Sequence, residues 1–265
     1  LDDDVTWWEN DGSESFTEHT IDGSFDGVES IHAADMDGDG DIDVLGAANL
    51  DDDIAWWENT ATFSFDPTWS ASDIANSASG AMSVFAADMD GDGDIDILSA
   101  SKLDDTIAWY ENDGAADPSW TASDIDTNAD GAFSVFAADM DNDGDMDILS
   151  ASDVDDTIAW YENDGAANPS WTASDIATSA ASAYSVFAAD MDGDGDMDVL
   201  SASYSDHTIA WYENTATFSF DPTWSASDID TNADGATDVH VADMDGDGDL
   251  DIVSSSENDD TIAWY

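Results

Sequence analysis

The chain has 265 residues, with 65 acidic side chains against one basic one, Lys102, and a formal net charge of −64. No basic patch can form, so nucleic acid and anionic membrane surfaces are excluded as partners, and divalent ions or cationic partners are favoured. The apolar content of 42%, with 12 Trp and 10 Phe, excludes a disordered acidic tail, and the lack of Cys excludes disulfides and thiolate chemistry.

In chain order, the sequence begins at Leu1-Asp2-Asp3-Asp4 without an initiator Met or signal peptide, and so reads as a processed or excised segment. No apolar run is long enough for a membrane-spanning helix, so no direct membrane insertion is expected. Two short strands are predicted first, Val5–Glu9 and Phe16–Ile21. The string Asp-Met-Asp-x-Asp-Gly-Asp-x-Asp then begins at Asp35 and returns at Asp88, Asp139, Asp190 and Asp243, with spacings of 53, 51, 51 and 53. The two longer spacings share one insertion, Thr60–Trp69 and Thr215–Trp224, both reading TATFSFDPTW. A second marker, Trp-Trp/Tyr-Glu-Asn, alternates with the loops at Trp7, Trp56, Trp109, Trp160 and Trp211, and the chain ends at Trp264-Tyr265.

One unit parses into four strands: Ser134–Ala138, Ile148–Ser152, Thr157–Glu162 and Trp171–Asp175. No stretch has a helical period. Four strands in roughly 50 residues, repeated, predict the blade of a β-propeller, with a β-solenoid as the rival architecture. Small residues such as Ala137, Ala138, Ser150 and Ala151 suit the crowded strands near an axis. Trp109 and its counterparts are expected to fill space between blades, and Trp69, Trp120, Trp171 and Trp224 on the outermost strand to be the more exposed. The ending at Tyr265 leaves a last blade without its outermost strand. Phe16–Ile21 could complete it, but Val5–Glu9 would then compete with Thr261–Tyr265 for one position.

Each Asp loop places carboxylates at its first, third, fifth and ninth positions, where they can converge on one ion, while the seventh can offer a carbonyl. Its sixth position is always Gly (Gly40, Gly93, Gly144, Gly195, Gly248), where the chain must turn sharply. Such an oxygen-rich set suits a hard cation, Ca²⁺ better than Mg²⁺. The first six positions match an EF-hand, but its twelfth-position Glu is replaced by Gly46, Ser99, Ser150, Ser201 and Ser254, and the flanks read as strands. Five aspartates in nine residues repel one another without a cation. The turn pairs at 52–53, 104–105, 155–156 and 259–260 read as solvated carboxylates.

The unit VFAADMDGDGDIDILSAS followed by TIAWYEN resembles the FG-GAP/VCBS repeat family, to which integrin α-subunit propellers and many secreted microbial propellers belong. The resemblance implies an all-β propeller of about five four-stranded blades, with a Ca²⁺-binding loop between the first two strands of each blade. It implies one domain over residues 1–265, or a segment of a longer repeat chain. It further implies side-chain ligation by Asp35, Asp37, Asp39 and Asp43, with Asp41 giving a carbonyl. The equivalent sets are Asp88, Asp90, Asp92 and Asp96 with Asp94; Asp139, Asp141, Asp143 and Asp147 with Asp145; Asp190, Asp192, Asp194 and Asp198 with Asp196; and Asp243, Asp245, Asp247 and Asp251 with Asp249. About one Ca²⁺ per repeat, five in all, is expected.

No catalytic signature is present. His19, His32, His207 and His240 do not recur together and show no zinc spacing, and there is no nucleophile elbow or phosphate loop. Near-identical repeats also offer five copies of one surface where catalysis needs one asymmetric site. The expectation is a non-enzymatic, extracellular or cell-surface module for structure, adhesion or assembly. Its partner would be a protein or glycan, or further copies bound through unpaired terminal strands. The alternatives are a carbohydrate-binding lectin, using residues such as Trp120, or the accessory propeller of a polysaccharide-degrading enzyme.

Overall fold

The computed structural model describes residues 3–61, 67–216 and 222–265, so the centres of the two TATFSFDPTW insertions lie outside the described residues. Every regular element is a strand, and consecutive strands pair antiparallel in a meander. An N-terminal hairpin joins β1 (Val5–Asn10) to β2 (Phe16–Asp22). Blade 1 is β3 (Val28–Ala34), β4 (Asp43–Ala48), β5 (Asp53–Asn59) and β6 (Trp69–Ala75). Blade 2 is β7 (Ala81–Ala87), β8 (Asp96–Ser101), β9 (Thr106–Asn112) and β10 (Trp120–Asp126). Blade 3 is β11 (Ala132–Ala138), β12 (Asp147–Ser152), β13 (Thr157–Asn163) and β14 (Trp171–Ala177). Blade 4 is β15 (Ala183–Ala189), β16 (Asp198–Ser203), β17 (Thr208–Asn214) and β18 (Trp224–Asp230). Blade 5 has β19 (Ala236–Ala242), β20 (Asp251–Ser256) and β21 (Thr261–Trp264). The predicted propeller is therefore the observed one, and each predicted strand of the unit lies within an observed strand.

Burial is greatest in the second strand of each central blade and least in the fourth. The second strand of blades 2, 3 and 4 is buried at every residue, whereas the fourth strand exposes the middle of its length. Beyond its first aspartate, held by backbone donors, a second strand covered on both faces carries small or apolar side chains. This explains runs such as Asp-Ile-Leu-Ser-Ala-Ser. The core is a series of junctions between blades. At one of them Met89, Leu98, Ile107 and Trp109 of blade 2 meet Val135, Ile148 and Tyr161 of blade 3. Trp109 is buried there, as expected. The outermost-strand Trp side chains are less exposed than expected. Trp120 and Trp171 stand edge-on to Trp56 and Trp109, with ring centroids 6.1 and 6.4 Å apart, and close the rim of the junction. Edge-to-face packing there removes apolar ring surface from water that a free rim position would leave exposed.

At the axis, one side chain per blade forms a row of aromatic rings: His32, Phe85, Phe136, Phe187 and His240, with successive centroids 4.7–4.8 Å apart. Four of the first-strand serines accept bonds from the neighbouring blade. Ser30 Oγ takes the Val84 N–H and Ser83 Oγ takes that of Val135, and Ser134 and Ser185 do likewise for Val186 and Val239.

Phe16–Ile21 does not complete the last blade: β2 pairs only with β1, and the outer edge of β21 has no strand partner among the described residues. The β1–β2 hairpin packs instead on blade 1, where Val5 is buried with Phe25, Ala55 and Trp57. Hairpin pairing keeps a local turn closed without bringing distant ends together, so it wins over the long-range alternative. A seam consequently separates blade 5 from blade 1. Ile31 is 56% exposed where its counterpart Val84 is 4% exposed, and Ile262 and Trp264 are 79% and 58% exposed.

Candidate metal centres

Each Asp loop follows the first strand of a blade and ends at the second, so five loops lie on one face of the propeller. The turn residues behave as their chemistry requires. Gly40, Gly93, Gly144, Gly195 and Gly248 have φ between +94° and +101°, and Asn142, which replaces a Gly at the fourth position, sits at +60°.

Within every loop, oxygen atoms of three carboxylates come within 4.8 Å of one another. The sets are Asp35, Asp37 and Asp39; Asp88, Asp90 and Asp96; Asp139, Asp141 and Asp147; Asp190, Asp192 and Asp194; and Asp243, Asp245 and Asp251. The first and third positions thus belong to all five sets, and the third member comes from the fifth or the ninth position. The seventh-position aspartates, Asp41, Asp94, Asp145, Asp196 and Asp249, are in none of them. Asp94 and Asp145 instead lie against Gly114 and Gly165 in the turn between the third and fourth strands.

The loops are preorganised by their own backbone. Gly93 N–H donates to Asp88 Oδ2 at 3.0 Å, Asp92 N–H to Asp90 Oδ1 at 3.2 Å, and Asp94 N–H to Asp92 Oδ1 at 2.9 Å. The ninth-position aspartate is a buried strut. Asp147 accepts the N–H of Met140 at 3.0 Å and of Asn163 at 2.8 Å, and blades 1, 2 and 4 repeat the pattern through Asp43, Asp96 and Asp198.

Among the described residues no basic side chain pairs with these groups. Burial pushes Asp147 up to about 7 against the pull of its two backbone donors, and pushes Asp43 and Asp96 up to about 6. Asp141 also rises to about 6, through burial and then the neighbouring Asp143 charge. In blade 1, Asp35 Oδ1 is buried without a hydrogen-bond partner. An oxygen-only donor set, an orphaned carboxylate oxygen and three carboxylates at close range fit a hard divalent cation.

Two contributors were not anticipated from the sequence. The Asn closing each Trp-Tyr-Glu-Asn marker ties successive loops together: Asn163 Nδ2 donates to the Met146 carbonyl of its own loop at 3.0 Å and to the Met89 carbonyl of the preceding loop at 2.8 Å. Asn112 does the same to Ile95 and Met36. The signal was the shared period of marker and loop. Likewise, several turn aspartates read as solvated are clasps. Asp52, Asp105 and Asp156, each at positive φ, accept the backbone N–H of Gly80, Gly131 and Ser182 at the start of the next blade.

A family model described as an FG-GAP-like repeat matches five times, at residues 2–46, 35–99, 88–150, 142–201 and 190–254. The chain belongs to the FG-GAP-like repeat family. Each complete aspartate loop lies inside at least one match, so the loop is part of what defines the FG-GAP unit here. No curated protein matches the sequence. Among solved structures, this FG-GAP chain is similar to an Agrocybe aegerita lectin, described as recognising non-reducing terminal N-acetylglucosamine. The identity is 19% over 96% of this chain and 69% of that one, at a TM-score of 0.61. A functionally unknown protein from Desulfotomaculum acetoxidans shows 12% identity over 100% of this chain and 76% of that one, also at 0.61. The V. cholerae biofilm matrix protein Bap1 shows 20% identity over 90% of this chain and 37% of that one, at 0.51. These similarities establish a shared propeller fold.

Proposed function

We propose that this FG-GAP propeller is a non-catalytic extracellular scaffold whose five loops each hold one Ca²⁺, serving as an adhesion or assembly module with a protein or glycan partner. The observation that carries the reading is the fivefold recurrence of three converging carboxylates without any basic partner. Ca²⁺ would sit among the first, third, fifth and ninth aspartates and convert their mutual repulsion into attraction. Because the loop joins the innermost strand to the fully buried second strand, and Asn112 and Asn163 bond consecutive loops, ions in neighbouring blades would stiffen one connected face. Extracellular calcium modules work at Kd of roughly 10⁻⁴–10⁻³ M, which suits a calcium-rich exterior.

The lectin alternative has less support. Trp120 and Trp171, the stacking surfaces it would use, are engaged at the blade junctions, and the likeness to the fungal lectin is one of fold.

Calorimetric melting in about 5 mM CaCl₂ and in excess chelator tests the calcium reading. At that concentration, roughly 5–50 times the Kd range, each filled site adds about 1–2 kcal/mol to the folded state. A melting temperature well above that of the chelated protein is expected, with Mg²⁺ less effective. Superimposable melts would overturn the reading.

A further inference from the structure

The five units repeat closely along most of their strands but diverge at the end of the axis opposite the aspartate loops. The second residue of the first strand is Glu29, Met82, Phe133, Tyr184 or Thr237, and the residue after the second strand is Asn49, Lys102, Asp153, Tyr204 or Glu257. Both positions lie about 20 Å from the metal loops along the first strand. In blades 2 to 4 the rest of these two strands repeats almost letter for letter, so this mouth is where the units diverge most.

These divergent side chains converge on one cavity of about 490 Å³, lined among others by Glu29, Met82, Phe133, Tyr184, Asp238 and Glu257. Two of its lining residues, Phe133 and Tyr184, are stacked rings, and Tyr204 stacks behind Tyr184. Phe133 and Tyr184 stack at 4.1 Å with 7° between planes, and Tyr184 and Tyr204 at 5.0 Å with 20°. The chain's one basic side chain shows what this wall accepts. Lys102 Nζ pairs with Asp153 and stands 5.0 Å from the Phe133 ring centroid and 5.8 Å from that of Tyr184. Asp153 consumes that charge. Glu29, Asp238 and Glu257 therefore face the cavity with no cation of their own. Glu29 takes a bond from the Asn49 amide and Asp238 one from Ser185 Oγ at 2.8 Å. Ser185 and Asn49 are neutral donors; Glu29 feels the nearby Lys102 charge, and Asp238 and Glu257 have no cationic partner among the described residues.

We propose that this axial mouth binds one ammonium or guanidinium ion carried on a short apolar stem, either a free amine or a basic side chain of a partner protein. Met82, Phe133 and Tyr184 supply apolar surface for the stem, while Glu257, Asp238 and Glu29 supply counter-charge. An anionic ligand would be repelled by Glu29, Asp238 and Glu257. The inference does not rest on the calcium reading, because none of these groups belongs to a metal loop.

Isothermal titration at about 0.5 M NaCl, where diffuse attraction to the polyanion is screened, tests it. The probes are n-pentylammonium, the tripeptide acetyl-Gly-Lys-Gly-amide and the neutral control 1-pentanol. Saturable binding of one cation per chain is expected, weakened roughly tenfold or more by Tyr184→Ala and by Glu257→Gln. Asp124→Asn, on the exposed fourth strand of blade 2, should leave it unchanged. Glu257→Gln is an isosteric change and keeps the test valid should Tyr184→Ala not fold. Tighter binding of the tripeptide assigns the mouth to a protein side chain, and tighter binding of the free amine to a small molecule. Binding at many equivalent sites, equal uptake of 1-pentanol, or affinity untouched by both substitutions would overturn the proposal.

Discussion

At Gly46 blade 1 departs from its siblings, which carry Ser99, Ser150, Ser201 and Ser254 at that point of the second strand. In blades 2 to 4 the serine hydroxyl faces a tyrosine hydroxyl, as Ser99 faces Tyr110 at 3.5 Å, but blade 1 carries Trp57 in the tyrosine's place. A Cβ added at Gly46 would meet Trp57 Cζ3 at 2.8 Å and Phe25 Cε1 at 3.2 Å. The larger ring and the missing side chain are one adjustment of volume. Gly46→Ser should therefore cost about 1–3 kcal/mol, the usual range for overpacking, and lower the melting temperature. Adding Trp57→Tyr should restore most of the loss, and additive losses in that double variant would refute the pairing. Asn163 makes a second residue-scale case. Asn163→Ala strips two bonds from buried carbonyls in adjacent loops and should cost about 1–3 kcal/mol, measured by urea denaturation. A cost no larger than that of an exposed fourth-strand substitution would show that the link between loops is idle.

At the scale of the element, the strand–loop–strand unit balances buried carboxylates against their backbone donors. In the chelated protein Asp147 titrates near 7 and Asp43, Asp96 and Asp141 near 6, all raised by burial above the usual carboxylate value. A carboxyl raised in the folded state favours folding while it is protonated, and that contribution disappears as pH climbs through the folded value. Without metal, the melting temperature should therefore fall between pH 5 and 8. Calcium needs the deprotonated ligands, so its stabilising effect should grow over the same interval. Melts at both pH values, with and without calcium, check the sign. A chelated protein that gains stability toward pH 8 would contradict it. The loop was legible in the sequence because its Asp and Gly positions are local: spacing alone fixes which residues a nine-residue turn can bring together. The double duty of Asp147 was not legible, since its partner Asn163 lies on another strand.

At the scale of the whole molecule, a net charge of −64 must be held in a compact body, and five divalent ions would cancel only about ten of those charges. Salt screening carries much of the remainder, and the Debye length falls to roughly 3 Å at 1 M. The sequence by itself determined the repeat, the four-stranded unit, the propeller class and the composition of each aspartate loop. All of these follow from patterns within about 50 residues, where strand period, turn chemistry and ligand spacing are local. Only the tertiary structure decided how the N-terminal hairpin packs, where the seam opens, that Trp120 closes a junction, and that the divergent side chains Glu29, Met82, Phe133, Tyr184 and Glu257 share one cavity. The physical reason is that each of these depends on side chains from different blades meeting across the junctions or around the axis, and no single repeat encodes that meeting.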